Sequence, residues 1–240
     1  FREYHKTYYG PNNAVLIVAG DIDSAETEKL VRKYFDEVPT GNVVVRNFPM
    51  EEPIIENTKA VAYDENIQIP MLLATFRTPG FANRDSYVLD MISTYLSDGK
   101  SSVLYKKLVD DQKQALQTQV INLGQVDYNI FAILALPLGE VELDTLLEEI
   151  EEEISKVQND LISERSYQKL LNKFENQFVN SNSSIAGIAN SLARYYMLYG
   201  DVNLINEQID IYRSITREEI QICLLYTSPS PRYYTRSRLP

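Results

Sequence analysis

Short apolar runs crowd the first half of this chain and helix-period stripes fill the second. That order, more than any single residue, limits the fold. Met71–Arg77, Leu116–Leu123 and Tyr128–Leu136 read as strands, with Ala60–Tyr63 as a fourth candidate. Between the first two lies a helical stripe of Val88, Met91, Ile92, Tyr95 and Leu96, which Gly99 should stop. Ser101 or Ser102 can cap the next short helix, Val103–Val109. After Leu136 the period changes. Leu143, Leu146, Leu147, Ile150, Ile154 and Val157 form one apolar face, and Tyr167, Leu170, Leu171, Phe174 and Phe178 form another. Helices near Ile185–Leu198, Val202–Tyr212 and Arg217–Gln221 complete the chain's helical half. Strands grouped ahead of helices predict an α+β fold, an antiparallel sheet with helices packed on one face.

The first 40 residues read as the tail of a similar domain. Ala14–Gly20 is a short apolar run behind the turn signal Gly10–Asn13, which suits a strand buried on both faces. Asp23 can cap the next helix, with Glu26 three residues on, and Leu30, Val31, Tyr34 and Phe35 would be its buried stripe. Residues 41–58 carry Pro49, Pro53 and an acidic pair with no helical period, and read as a linker. Residues 59–222 read as a second, complete domain. The chain opens on Phe1, not Met, and reads as a fragment.

Residues 223–240 change in style. Three prolines fall there, and Arg232, Arg236 and Arg238 are the only charges, in a chain of net charge -11. The stretch Cys223–Arg232 resembles the translation of a sequencing-library adaptor, so it is expected to have no fold and no function.

Composition excludes several classes. An acidic surface, 34 Asp and Glu against 23 Lys and Arg, repels nucleic acid and anionic lipid. No run approaches the roughly 20 apolar residues of a membrane span. His5 is the only histidine and Cys223 the only cysteine. A catalytic zinc needs about three protein ligands at fixed local spacing, which this pair does not supply. The chain by itself is therefore expected to be inactive as a peptidase.

Two stretches carry a family resemblance. Residues 8–21, YYGPNNAVLIVAGD, with a helix after them ending at Tyr34 and Phe35, resemble the end of the N-terminal domain of insulinase-type (pitrilysin, mitochondrial processing peptidase) zinc peptidases. Residues 98–108, DGKSSVLYKKL, resemble the small-residue turn and helix of that family's next domain. Ala193–Tyr196, Gly200–Asp201 and Tyr212–Ile220 fit its end, and the overall likeness is to the short two-domain bacterial form. The resemblance implies a zinc motif H-x-x-E-H upstream of Phe1, zinc in the intact protein, and closure of two similar domains around a peptide or unfolded protein. It also implies a periplasmic or envelope location, a partner in the missing N-terminal domain, and possible pairing with a second subunit or copy. The alternative is a non-catalytic binding or structural subunit of a complex in the same family. Some members use an Arg–Tyr pair on and just after the strand here read at Ile130–Pro137. Tyr128 is close, but no arginine stands between Arg84 and Arg165, so the pair is not expected.

The candidate substrate-binding residues are Asp98, Gly99, Lys100, Ser101 and Ser102, in the turn, and Arg194 and Tyr195. A phosphate loop is the wrong reading of the turn, which lacks G-x-x-x-x-G-K-[S/T] spacing and comes after a helix. The plain alternatives are a helix stop for the turn and helix packing for Arg194 and Tyr195. Glu148–Glu149 and Glu151–Glu153 share a helix with an apolar face and read as a solvated surface.

Overall fold

The computed structural model describes residues 1–42, 47–52, 54, 56–63, 66 and 69–227. They group into two compact units, Phe1–Glu51 with Glu175–Gln208, and Glu52–Phe174 with the residues from Ile209 onward. The expected single domain over 59–222 is thus divided, because residues 175–208 group with the N-terminal segment.

The second unit is built on a three-stranded antiparallel sheet in the order β1-β3-β2. The strands are β1 (Leu72–Pro79), β2 (Ala115–Leu123) and β3 (Tyr128–Pro137). The fourth expected strand is not formed: Ala60–Tyr63 is exposed and unpaired in any ladder. Register puts Phe131 beside Phe76 and Asn122, and Ile133 beside Ala74 and Val120. Because side chains alternate along a strand, these residues share one face with Asn129 and Ala135.

Helices cover that face. They are α3 (Arg84–Ser97), α4 (Leu143–Asn159) and α8 (Arg217–Thr227); α5 (Glu164–Ser181) and α7 (Leu204–Ser214) are divided between the two units, and their second-unit parts add Leu170, Phe174 and Tyr212 to the same core. The expected stripes supply the core. Val88, Met91, Ile92 and Leu96 of α3, and Leu146, Ile150, Ile154 and Val157 of α4, are buried with Phe131 and Ile133. Each such side chain contributes about 1.5–3 kcal/mol on burial. The Asn83 side chain caps α3, accepting from the Asp85 N–H at 2.9 Å. Arg84 grips Glu219 through two hydrogen bonds of 2.7 and 3.2 Å, which fixes the start of α3 on α8.

Helix α8 carries past the expected break at Ile222. Cys223 and Leu224 lie in the core, and Gln158 Nε2 donates to the Leu224 carbonyl at 2.9 Å. The expectation of no fold from Cys223 on fails for these two residues, because their apolar side chains complete the buried face that Ile220 begins. Residues 228–240 lie outside the described residues.

In the first unit, α1 (Arg2–Tyr8) and α2 (Ser24–Phe35) contribute no buried residue. Asp23 caps α2 as expected, accepting from the Glu26 N–H at 2.8 Å. Its apolar stripe is exposed, however, with Leu30, Tyr34 and Phe35 all open. Ala14–Gly20 joins no ladder, and Val15, Leu16 and Val18 are exposed. Both were expected to be buried. A stripe or strand is buried only by a covering surface, and none is formed within this unit among the described residues. Asn12 ties the turn ahead of Ala14–Gly20 to Gly41. Its side chain donates to the Gly41 carbonyl at 3.1 Å and accepts from the Gly41 N–H at 3.0 Å. Helix α6 (Ile185–Tyr199) is capped by Ser184, whose Oγ accepts from the Gly187 N–H, and ends on Gly200 at φ +71°. Only glycine takes that left-handed conformation without cost.

Candidate functional site

The turn after α3 is stopped by Gly99, at φ +80°. The serines do not cap the next helix as expected. The Ser102 hydroxyl is buried and donates to the Gly99 carbonyl at 2.7 Å, so it closes the turn on itself. The next element is a π-helix, Tyr105–Asp111, entered through helical residues 103–104. π-helical turns are rare and concentrate at functional sites. Lys113 just beyond it, at φ 53°, is the one non-glycine residue with positive φ among the described residues. Two lysines of α5 reach the turn. Lys173 pairs with Asp98, and Lys169 Nζ donates to Ser101 Oγ at 2.5 Å. Gly99 and Lys100 are exposed between these anchors.

The π-helix is pinned from α4. Lys107 Nζ lies 2.6 Å from Glu149, 2.9 Å from Glu152 and 3.1 Å from Glu153. The lysine is largely buried, which disfavours its charge, but three carboxylates outweigh burial and hold its pKa above the ordinary value. Lys107, then Lys156, pulls the Glu152 carboxyl down to about 2. Lys107, then Gln112, pulls that of Glu149 down. The solvated-face reading is therefore corrected for two of these glutamates, since Glu153 is buried and Glu149 is engaged, while Glu148 and Glu152 are exposed.

Arg194 and Tyr195 lie in the other unit, on α6. Arg194 is exposed. Tyr195 is buried, its hydroxyl hydrogen-bonds Gln208 Oε1, and its ring lies 6.0 Å from that of Tyr199. Burial, with Tyr199 alongside, pushes its pKa up to about 12. The hydroxyl is thus a neutral donor that fastens α6 to the Gln208 side chain, and Arg194 alone of the two faces solvent.

Sequence spacing missed one pair. Arg77 of β1 lies over the Tyr128 ring of β3, 5.0 Å from its centroid, and its Nη1 donates to the Glu52 carbonyl at 2.7 Å. Neighbouring strands bring the two together. Gly80 lets the turn beyond β1 pack onto the β2–β3 hairpin, since a Cβ there would stand 2.3 Å from the Val126 carbonyl oxygen. Behind the hairpin runs a polar chain. Asn129 accepts from the Gln125 N–H and donates to Ser86 Oγ, Asn122 donates to Asp90, and the Tyr212 hydroxyl donates to the other Asp90 oxygen at 3.0 Å.

The donors for a catalytic zinc do not fit. Among the described residues no three of His, Cys, Asp and Glu converge as metal ligands. His5 is exposed and stacked on Tyr9 at 5.0 Å, and Cys223 is in the core. Among the described residues no helix is long and apolar enough to cross a membrane.

Comparison with known proteins gives a consistent set of relatives. Residues 1–174 match the family described as the peptidase M16 inactive domain. The zinc protease PqqE of Helicobacter pylori is 27% identical over 196 residues, covering 81% of this chain and 44% of that protein. This chain therefore spans less than half the length of that relative. A solved protease from H. pylori superposes with TM-score 0.82 at 21% identity, over 95% of this chain and 56% of that one. The periplasmic protease PqqL of Escherichia coli superposes with TM-score 0.63 at 16% identity, over 87% and 23%.

Proposed function

The chain belongs to the peptidase M16 family, as a match to its inactive domain, and from that premise we propose that it is the non-catalytic part of a zinc protease-like protein, which encloses and positions an extended peptide. The observation that carries this reading is the match to the inactive domain over residues 1–174. In this reading zinc and the water it activates belong to the rest of the protein, and no bond is cleaved by residues of this chain. The work done here is positioning, which lowers a barrier by holding a substrate in reacting geometry.

Two places would touch the peptide. The turn Asp98–Ser102 offers the exposed Gly99–Lys100 edge, where lack of a side chain lets a backbone approach closely. On α6, Arg194 offers a guanidinium to a peptide carbonyl or carboxylate, and Tyr195 works from behind by fixing the helix to Gln208. The partner is a zinc-bearing half of the same protein or a second subunit. The exposed stripe of α2 supports either, since it is an apolar face suited to a covering partner. A periplasmic setting draws support from the fold likeness to PqqL.

The test is binding of fluorescein-labelled unfolded casein to the purified chain, monitored by anisotropy, with Lys100→Ala and Arg194→Ala alongside. Saturable binding that weakens severalfold in each variant supports the reading. Failure of the unmodified chain to bind casein contradicts it.

A further inference from the structure

The connection from α3 to β2 is anchored from outside at two places. At its start Lys173 pairs with Asp98, and Lys169 donates to Ser101. Further on, Lys107 is held by three carboxylates of α4. Beyond the first anchor the backbone takes conformations that local propensity disfavours: a π-helix, then Lys113 at φ 53°. Such a segment keeps one shape only where its surroundings hold it there. Leu104 and Leu108 are fully buried and secure its inner side. The exposed side of the turn has the two lysines.

Lys169 and Lys173 are four residues apart on α5, so they project from one face a turn apart. They meet residues 98 and 101, on either side of the exposed Gly99–Lys100 edge. Paired side chains at this level of exposure add little to global stability. Their effect is local, on a few residues that the core does not grip.

We propose that Lys169 and Lys173 are positioning residues, which hold the turn Asp98–Ser102 in one preset conformation ready to receive an extended peptide. The proposal rests on the reading of that turn as a peptide contact. A preset contact spares the peptide the ordering cost that a mobile turn would impose at binding.

The full chain is compared with a Lys169→Met/Lys173→Met variant, which keeps the apolar stems and removes both charges, and with Lys173→Arg, which restores an ion pair. Hydrogen exchange reads the turn and casein anisotropy reads binding. The expected result is exchange about tenfold faster at residues 99–103 in the double variant, with β2, β3 and α4 unchanged. Casein affinity falls by a similar factor, and Lys173→Arg behaves as the unmodified chain. Unchanged exchange at 99–103 overturns the anchoring. Faster exchange with unchanged casein affinity overturns the positioning role. If the unmodified chain binds no casein, the peptide reading itself fails, while the exchange result still decides whether the lysines hold the turn.

Discussion

Ser97 Oγ accepts a hydrogen bond from the Val120 N–H at 2.7 Å, and its single proton is shared between the Val120 and Ser93 carbonyls, each 3.3 Å away. One hydroxyl at the end of α3 thus engages both backbone groups of a residue on β2, an edge strand of the sheet. Unpaired edges invite pairing with other chains, and proteins cover them. Ser97→Ala would leave the Val120 N–H part-buried and without that acceptor. A loss of about 1–3 kcal/mol is expected in chemical denaturation, with faster exchange of the Val120 amide. A change within error would show that water replaces the hydroxyl freely.

Asn129 is fully buried and links the hairpin to α3 through the Gln125 N–H and Ser86 Oγ. Asn129→Leu keeps the branched shape but leaves the Gln125 N–H without its acceptor and Ser86 Oγ with only the 3.5 Å contact from Asn122, and should cost about 2–3 kcal/mol or more. The check is a double cycle with Ser86→Ala. The two changes should couple, because they share a bond. Additive losses would mean that the network is not one unit.

The tail offers a sharper contrast. Leu224 is fully buried, so Leu224→Ala should cost about 2–5 kcal/mol, as a large core deletion does. Truncation after Ile222 should lower the thermal midpoint by a similar or larger amount. An unchanged midpoint after that truncation would return Cys223 and Leu224 to the appended tail that their sequence style suggests.

The Lys107 cluster predicts a pH dependence with a definite sign. The carboxyls of Glu149 and Glu152 are lowered in the folded chain, chiefly by Lys107. Lowered carboxylates contribute stability that is fully present above the ordinary value of 4.5 and is lost as pH falls toward about 2. Thermal midpoints should therefore drop across that window in the unmodified chain, and less steeply in Lys107→Met. Because Glu152 is half exposed, added salt should shrink the difference. Parallel curves for the two proteins would contradict the cluster's role.

Most of the second unit was legible because its helices and strands obey simple periods. Leu146, Ile150 and Ile154 recur at helical spacing and are buried. The same logic failed at Leu30, Tyr34 and Phe35, where the period is right but the stripe is exposed among the described residues. Periodicity reports which face is apolar, and burial depends on what else is present. The π-helix was illegible because Val103–Val109 has ordinary helical spacing. Its hold on Lys107 depends on glutamates of a distant helix that look solvated when read alone. The Arg77–Tyr128 pair was hidden in the same way, since strand neighbours are set by register and not by distance along the chain. The candidate turn was found through a resemblance, and only the fold brought Lys169 and Lys173 to it.

The most direct test incubates the purified chain with fluorescein-labelled unfolded casein, with added zinc and, in parallel, with a chelator, and monitors binding and peptide release together. A non-catalytic positioning domain predicts saturable binding in both conditions and no cleavage in either. Zinc-dependent, chelator-sensitive release of peptides by this chain alone would contradict the account.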